Sequence, residues 1–112
     1  MTNATRFLGQ TFTIRIDRQM GSRHPEHGFI YPVNYGFLPR ILSPDGEEMD
    51  AYLLGLFEAA AEFTGVCIAV IHRMDDDDDK LVIAPKGKTY TPDQIRALTE
   101  FQERYFVSEI LT

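Results

Sequence analysis

The chain lacks a second cysteine, a long apolar run and a signal-like N-terminus. The single thiol of Cys67 cannot form an internal disulfide, and its apolar surroundings from residue 65 to 71 predict a buried, unreactive side chain. No apolar run reaches the about 18 residues that a membrane-spanning helix needs. The first residues lack the charged-then-apolar pattern of a signal peptide. These absences predict a cytoplasmic protein that has no membrane partner.

Basic residues are also scarce. The chain carries 11 Lys and Arg against 17 Asp and Glu, which gives a formal net charge of -6. Nucleic acids recruit basic surfaces, so this balance predicts no nucleic-acid partner. A hydrophobic content of 44% and a charged content of 25% are typical of globular proteins. The 112 residues are enough for one small domain, residues 1–112, but not for two.

The acidic residues are concentrated in two short segments. Four lie between residues 45 and 50, and five form the aspartate run from 75 to 79, together nine of the 17. Carboxylates packed this closely repel one another unless a multivalent cation lies between them. If the two segments meet in space, they form an anionic pocket that binds divalent cations and, through them, an anionic substrate. Alternatively, the aspartate run is a solvated hairpin tip.

Hydrophobic periodicity predicts a mainly β fold. Residues 12–17 alternate apolar and polar side chains, as a half-buried strand does. A second strand is predicted at 29–35, irregular because it contains Pro32. Three more are predicted at 51–56, 64–72 and 80–85. The aspartate run joins the last two strands, which is typical of a hairpin loop.

The C-terminal segment changes to a helical period. Thr91 and Gln94 form a capping box, and Pro92 suits the first helical position. One helical face then carries Ile95, Leu98, Phe101 and Tyr105, so that Tyr105 is expected to pack in the core. Strands followed by one helix predict a small, closed or nearly closed β-barrel with the helix packed against it.

Residues 31–50 carry the most informative pattern. Tyr31 and Tyr35 stand four residues apart ahead of the acidic turn. In a turn that leads into a strand, Asp45, Glu47 and Asp50 can reach a common point above the strand end. Hard cations such as Mg²⁺ take oxygen ligands and retain waters, which leaves positions for phosphate oxygens. The alternative is a solvated acidic turn without a metal.

These motifs resemble the soluble inorganic pyrophosphatase family. Its pattern is Tyr-Pro-x-Asn-Tyr-Gly-[Phe/Tyr]-[Ile/Val]-Pro and then Asp-Gly-Asp-Pro-x-Asp, which residues 31–39 and 45–50 match with unchanged spacing. Further matches are the acidic loop that ends in residues 80–85 and the segment 101–105. The resemblance implies a five-stranded, OB-like β-barrel with helices packed on it. It also implies hydrolysis of pyrophosphate to two phosphates with Mg²⁺, for which Mn²⁺ is the expected substitute.

The resemblance implies a set of metal-binding carboxylates. Asp45 and Asp50 would be metal ligands, and Glu47 takes the place of the acidic ligand that orients and deprotonates the attacking water. In the aspartate run, Asp78 would be shared by two metals and Asp75 would be its upstream partner.

A second set of residues would contact the substrate. By resemblance, Tyr35, Lys80 and Tyr105 contact phosphate or poise the nucleophile. Arg23 stands at the expected distance before Tyr31 to replace a family arginine. The substrate would be a small phosphate compound. Because family members commonly associate, a homo-oligomer is expected by analogy.

The chain also departs from the family pattern. Glu47 is one methylene longer than the family aspartate, Glu48 replaces a proline, and Phe106 replaces a lysine. The early segment that supplies further acidic and basic residues is much shorter here. Two alternatives to pyrophosphate hydrolysis therefore stay open. They are hydrolysis of another small phosphoanhydride and a non-catalytic metal-binding barrel.

Overall fold

The computed structural model describes residues 2–75 and 78–112, which form one short 3₁₀ helix, six strands and one α-helix. The 3₁₀ helix spans Ala4–Phe7. The strands are β1 Thr11–Arg18, β2 Asn34–Leu42, β3 Glu48–Leu53, β4 Glu62–Arg73, β5 Asp79–Ala84 and β6 Ser108–Leu111. The helix α1 spans Pro92–Glu103 and lies between β5 and β6 in the chain.

Five of the strands close into a mixed barrel. The order around it is β1-β2-β3-β5-β4, and the first half of β4 returns to pair with β1. The pair β3–β5 is parallel and the other pairs are antiparallel. Outside the ring, β6 pairs with the second half of β4. The predicted mainly β, OB-like five-stranded barrel with a C-terminal helix is confirmed.

The barrel wall made by β3, β5 and β4 is buried on both faces. Side chains alternate between the faces of a strand. Ala51, Leu53, Leu81 and Ile83 fill the barrel interior, whereas Tyr52, Leu54 and Val82 pack on the outer face against Ile95, Leu98 and Phe101 of α1. By the same alternation, Asp50 of β3 and Lys80 of β5 share the outer face with the helix.

Two strand predictions are wrong in their boundaries. Within the segment 29–35, only Ile30 pairs outside a named strand, in an isolated bridge with Arg23. The strand β2 begins later, at Asn34. Pro32 has no N–H to donate to a ladder, which explains the later start. β2 instead continues through Pro39, where its register against β3 shifts, and proline is tolerated at such an irregularity.

The third strand also begins earlier than predicted. β3 starts at Glu48 rather than at residue 51, so that Asp50 belongs to the strand and not to the turn before it. Ladder pairing with β2, which joins Phe37 to Asp50, outweighs the low strand propensity of the acidic residues. The four-residue strand β6 was not predicted, because it is too short for alternation to be recognised.

The helix begins as predicted and ends before Tyr105. Thr91 Oγ1 accepts from Gln94 N at 3.2 Å, and Thr91 N donates to Gln94 Oε1 at 2.8 Å. Because α1 ends at Glu103, Tyr105 does not lie on its apolar face, and this core prediction is wrong: Tyr105 is 63% exposed. In the part of the chain that the structure describes, no helix is both long and apolar enough to span a bilayer.

Gly36→Ala should destabilise the barrel strongly. A Cβ at residue 36 would lie 1.8 Å from the Arg15 carbonyl oxygen of the neighbouring strand, so the backbone of β1 or β2 must move. We expect the free energy of unfolding to fall by about 3 kcal/mol in urea titrations.

Gly87→Ala is the matched control for this change. A Cβ there has no heavy atom within 4 Å, although the φ of +85° is strained. The expected cost is about 1 kcal/mol. Equal losses in the two variants would contradict the close approach of β1 and β2.

Candidate active site

Lys80 joins the two acidic segments. Its side chain is only 6% exposed, and its Nζ donates to Asp50 Oδ2 at 2.7 Å and to Asp78 Oδ2 at 2.9 Å. The parallel register pairs Ala51 with Leu81, which brings residues 50 and 80 side by side on the outer face. Asp78 lies in the hairpin directly before β5. The acidic turn region and the aspartate run therefore meet at one ammonium group.

An open cleft of about 360 Å³ lies beside this ammonium group. Its lining includes five carboxylates, which are those of Asp45, Glu47, Glu48, Asp50 and Asp78. Asp45 Oδ1 accepts from the Ser43 hydroxyl and, at 2.9 Å, from Glu47 N. These hydrogen bonds, that of Ser43 first, lower the pKa of the Asp45 carboxyl. The Asp45 carboxylate, in the turn before β3, is therefore ionised near neutral pH.

The donor set of the cleft fits a hard divalent cation, because carboxylate oxygens are the ligands such ions take. Within residues 2–75 and 78–112, however, no three acidic, histidine or cysteine side chains converge as a ready-made metal cluster. Asp50 and Asp78 accept from Lys80, and Asp45 accepts from Ser43. Hydrogen bonds from Lys80 and Ser43 thus hold these three carboxylates in one cleft.

The aspartate run divides among different partners. Asp75 Oδ2 accepts from Val107 N at 3.2 Å, and Asp75 is not among the residues that line the cleft. Asp79 is buried and accepts from His72 Nδ1 at 2.7 Å. Asp76 and Asp77 lie outside the described residues. Of the three described aspartates in the run, Asp78 is the one that reaches the cleft.

A second cavity, of about 420 Å³, is lined by Lys80, whose Nζ contacts the cleft residues Asp50 and Asp78. Tyr35, Arg73 and Tyr105 also line it, so that Tyr35, Lys80 and Tyr105 share one cavity. Burial, followed by the negative charge of Asp50, raises the pKa of the Tyr35 hydroxyl well above its ordinary value. Tyr35 therefore stays a neutral hydrogen-bond donor and acceptor near neutral pH.

Arg23 makes a hydrogen bond within its own loop. Its Nη1 donates to the Gly28 carbonyl oxygen at 2.6 Å within its own loop. The described residues that line the cleft and the second cavity do not include Arg23.

Arg73 and Gln102, which line the second cavity, belong to a buried polar network. Arg73 Nε and Nη2 donate to the two carboxylate oxygens of Glu103 at 2.9 and 2.8 Å. The Tyr52 hydroxyl donates to Glu103 Oε2 at 2.6 Å and accepts from Gln102 Nε2 at 2.7 Å. Burial lowers the pKa of Arg73, but the hydrogen bonds and the charge of Glu103 outweigh it and raise that pKa overall.

This network reaches the acidic cleft through Arg73. Its Nη1 lies 3.6 Å from Asp78 Oδ2, and its guanidinium lies 3.7 Å from the centre of the Phe106 ring. Sequence reasoning missed Arg73 and Glu103. One signal was available, because Ile95, Thr99 and Glu103 are spaced by four and form the buried face of α1.

The fold and the cleft together define a small OB-like barrel with a carboxylate-lined site on its outer face. The family model for inorganic pyrophosphatase matches residues 9–110. The chain therefore belongs to the inorganic pyrophosphatase family, and membership implies a divalent metal cofactor.

Individual relatives agree with this assignment. The chain is 30% identical over 80 residues to an inorganic pyrophosphatase of Saccharolobus solfataricus, which covers 68% of this chain and 44% of the relative. It is 35% identical over 79 residues to that of Haemophilus influenzae, covering 64% and 43%. The matched region thus spans less than half the length of these curated relatives.

Solved structures share the fold. An inorganic pyrophosphatase from Ehrlichia chaffeensis superposes with a TM-score of 0.71 at 18% identity, covering 91% of this chain and 85% of that one. The corresponding protein from Helicobacter pylori gives a TM-score of 0.67 at 19% identity, covering 89% and 81%.

Glu103→Gln should destabilise the fold, because it removes the charged carboxylate that accepts two hydrogen bonds from the buried Arg73 guanidinium. Side chains at both positions are nearly inaccessible, at 8% and 3% exposure. We expect the free energy of unfolding to fall by about 3 kcal/mol in chemical denaturation.

Glu100→Gln on the same helix is the control for the loss of a charge. Glu100 pairs with Arg104 at the surface, where both side chains are more than half exposed, so the expected cost is below about 0.5 kcal/mol. If the two variants unfold at the same denaturant concentration, the buried pair does not stabilise the fold.

Proposed function

We propose that this protein hydrolyses inorganic pyrophosphate to two phosphates, with Mg²⁺ as its cofactor and Mn²⁺ as a substitute. The observation that carries the proposal is the meeting of Asp50 and Asp78 at Lys80 Nζ. Carboxylates from two separate segments supply what a two-metal site needs, and the buried cation between them suits a phosphate oxygen. Membership of the family supports the choice of substrate.

The proposed division of roles follows from where the side chains lie. Asp45, Asp50 and Asp78 would hold the metal ions in the cleft. Bound divalent cations lower the pKa of water and neutralise phosphate charge. Glu47, which lines the same cleft, would orient the attacking water and accept its proton.

The second cavity would bind the phosphate groups. Lys80 donates from its buried ammonium, and Tyr35 and Tyr105 offer hydroxyls in the same cavity. Positioning and charge neutralisation are what phosphoryl transfer chiefly requires. The roles predicted for Asp75 and Arg23 gain no support from their positions. A single domain, a cytoplasmic location, the absence of a nucleic-acid partner and homo-oligomer formation stay predictions.

Asp50→Asn should abolish phosphate release. The substitution removes a metal-ligand charge and weakens the hold of Lys80, so we expect the rate with pyrophosphate and Mg²⁺ to fall at least about 100-fold. Colorimetric phosphate detection measures the rate, and excess EDTA should reduce it to background.

Glu58→Gln is the matched control, because it removes one exposed carboxylate that lines neither the cleft nor the second cavity. Its rate should stay within about twofold of the parent rate. If the parent protein releases no more phosphate than Asp50→Asn, pyrophosphate hydrolysis is not its activity.

Glu47→Asp should raise the rate of hydrolysis. The shorter side chain restores the family residue, and a misplacement of about 1 Å costs on the order of 100-fold in rate. We expect a gain of about tenfold or more in kcat, measured under the same conditions.

Glu48→Asp makes the same one-methylene change in the same cleft and should bring no gain. A parent protein without turnover whose Glu47→Asp variant is also inactive would favour the non-catalytic metal-binding barrel.

A further inference from the structure

The second cavity has an aromatic wall of which the proposed hydrolysis of pyrophosphate uses only the Tyr105 hydroxyl. The wall consists of His24, His27, Phe29 and Tyr105, which all line the cavity. The ring of His24 lies 4.7 Å from that of His27 and 4.8 Å from that of Phe29. His27 in turn stacks on Tyr105 at 6.2 Å with an interplanar angle of 28°. A loop before β2 and the segment after α1 thus build one surface of flat rings.

Such a wall does not suit pyrophosphate alone. The faces of the Phe29 and Tyr105 rings carry negative electrostatic potential and attract no oxyanion. Neither do the rings all belong to the core, since His27 is exposed and Tyr105 is 63% exposed. A flat, uncharged ring such as a nucleic-acid base would gain stacking energy from this wall, whereas a phosphate group would not. Bases of any sequence stack on aromatic side chains.

The aromatic wall and the phosphate-binding cation belong to the same space. Lys80 lines the second cavity together with the four rings, and its Nζ contacts Asp50 and Asp78 of the acidic cleft. The cavity volume of about 420 Å³ lies in the range of about 300–1,000 Å³ that small-molecule sites occupy. A ligand that joins a flat ring to a phosphoanhydride would contact the rings and Lys80 together.

We propose that the second cavity binds the base of a nucleoside diphosphate whose phosphoanhydride lies at Lys80. The proposal deepens the proposed function, on which it rests for the position of the anhydride. In the reaction, the water oxygen bonds to the terminal phosphorus and the bridging P–O bond breaks. The nucleoside monophosphate leaves with the bridging oxygen, inorganic phosphate is released, and Glu47 accepts the proton of the water.

A comparison of ADP with methyl diphosphate tests the proposal. Both are singly substituted diphosphates with the same anhydride, and they differ in whether a nucleoside or a methyl group is attached. In the presence of Mg²⁺, isothermal titration should show ADP binding at least about tenfold more tightly, as expected for one base stacked on aromatic side chains. Equal affinities would overturn the proposal.

His27→Ala identifies the surface responsible. It should lower the preference for ADP over methyl diphosphate at least about threefold, because it removes one of the rings on which the base would stack. Phe57→Ala removes a ring that is 76% exposed and lines a different cavity, and should leave the preference unchanged. If His27→Ala weakens both ligands equally, the ring contacts phosphate and the proposal is wrong.

The two proposals can fail separately. The ADP preference is a binding ratio, so it can be measured in a protein that releases no phosphate from any substrate. Turnover of pyrophosphate without a preference for ADP would leave the proposed function intact and remove the nucleotide site. A preference for ADP without turnover would support the base-binding site and rule out hydrolysis of both pyrophosphate and the nucleoside diphosphate.

Discussion

One ammonium group holds together two carboxylates that the sequence supplies from separate strands and loops. Lys80 is almost completely buried, and a buried charge is costly unless it is paired. Asp50 and Asp78 supply that pairing, while Lys80 offsets the repulsion between them. Lys80 lines the aromatic-walled cavity, and its two carboxylate partners line the acidic cleft. Its position therefore connects the cleft in which we propose the metal site to the cavity in which we propose the substrate site.

The helix α1 contributes Glu103 to a second buried ion pair, with Arg73. Glu103 occupies the last turn of α1, where a carboxylate opposes the negative end of the helix dipole. Arg73 compensates by donating to both of its oxygens, and Tyr52 adds a third hydrogen bond. Because Arg73 comes from β4 and Tyr52 from β3, this pair fixes the end of the helix against the barrel wall. Phe106 and Tyr105 follow directly and are positioned with it.

Local patterns in the sequence predicted part of this arrangement. The capping box at Thr91 and the alternation in β1 are decided by neighbouring residues, so the sequence alone predicts them. The boundaries of β2 and β3 depend on pairing between strands, so the sequence alone places Asp50 in a turn although it pairs with Phe37. The spacing of the acidic motifs indicated a shared site. It did not indicate that Lys80 would lie between the carboxylates, or that Asp75 would turn to Val107.

The parallel pairing of β3 and β5 has a consequence for how the protein can change. Parallel neighbours begin at the same rim of a barrel, so the loops that precede β3 and β5 emerge next to each other. These loops carry Asp45, Glu47 and Asp78, whereas the strands carry the core. Loops tolerate insertions and substitutions that strands do not. Substitutions in the segments that precede these two strands can therefore alter the carboxylates of the cleft without disturbing the hydrophobic interior that keeps the barrel folded.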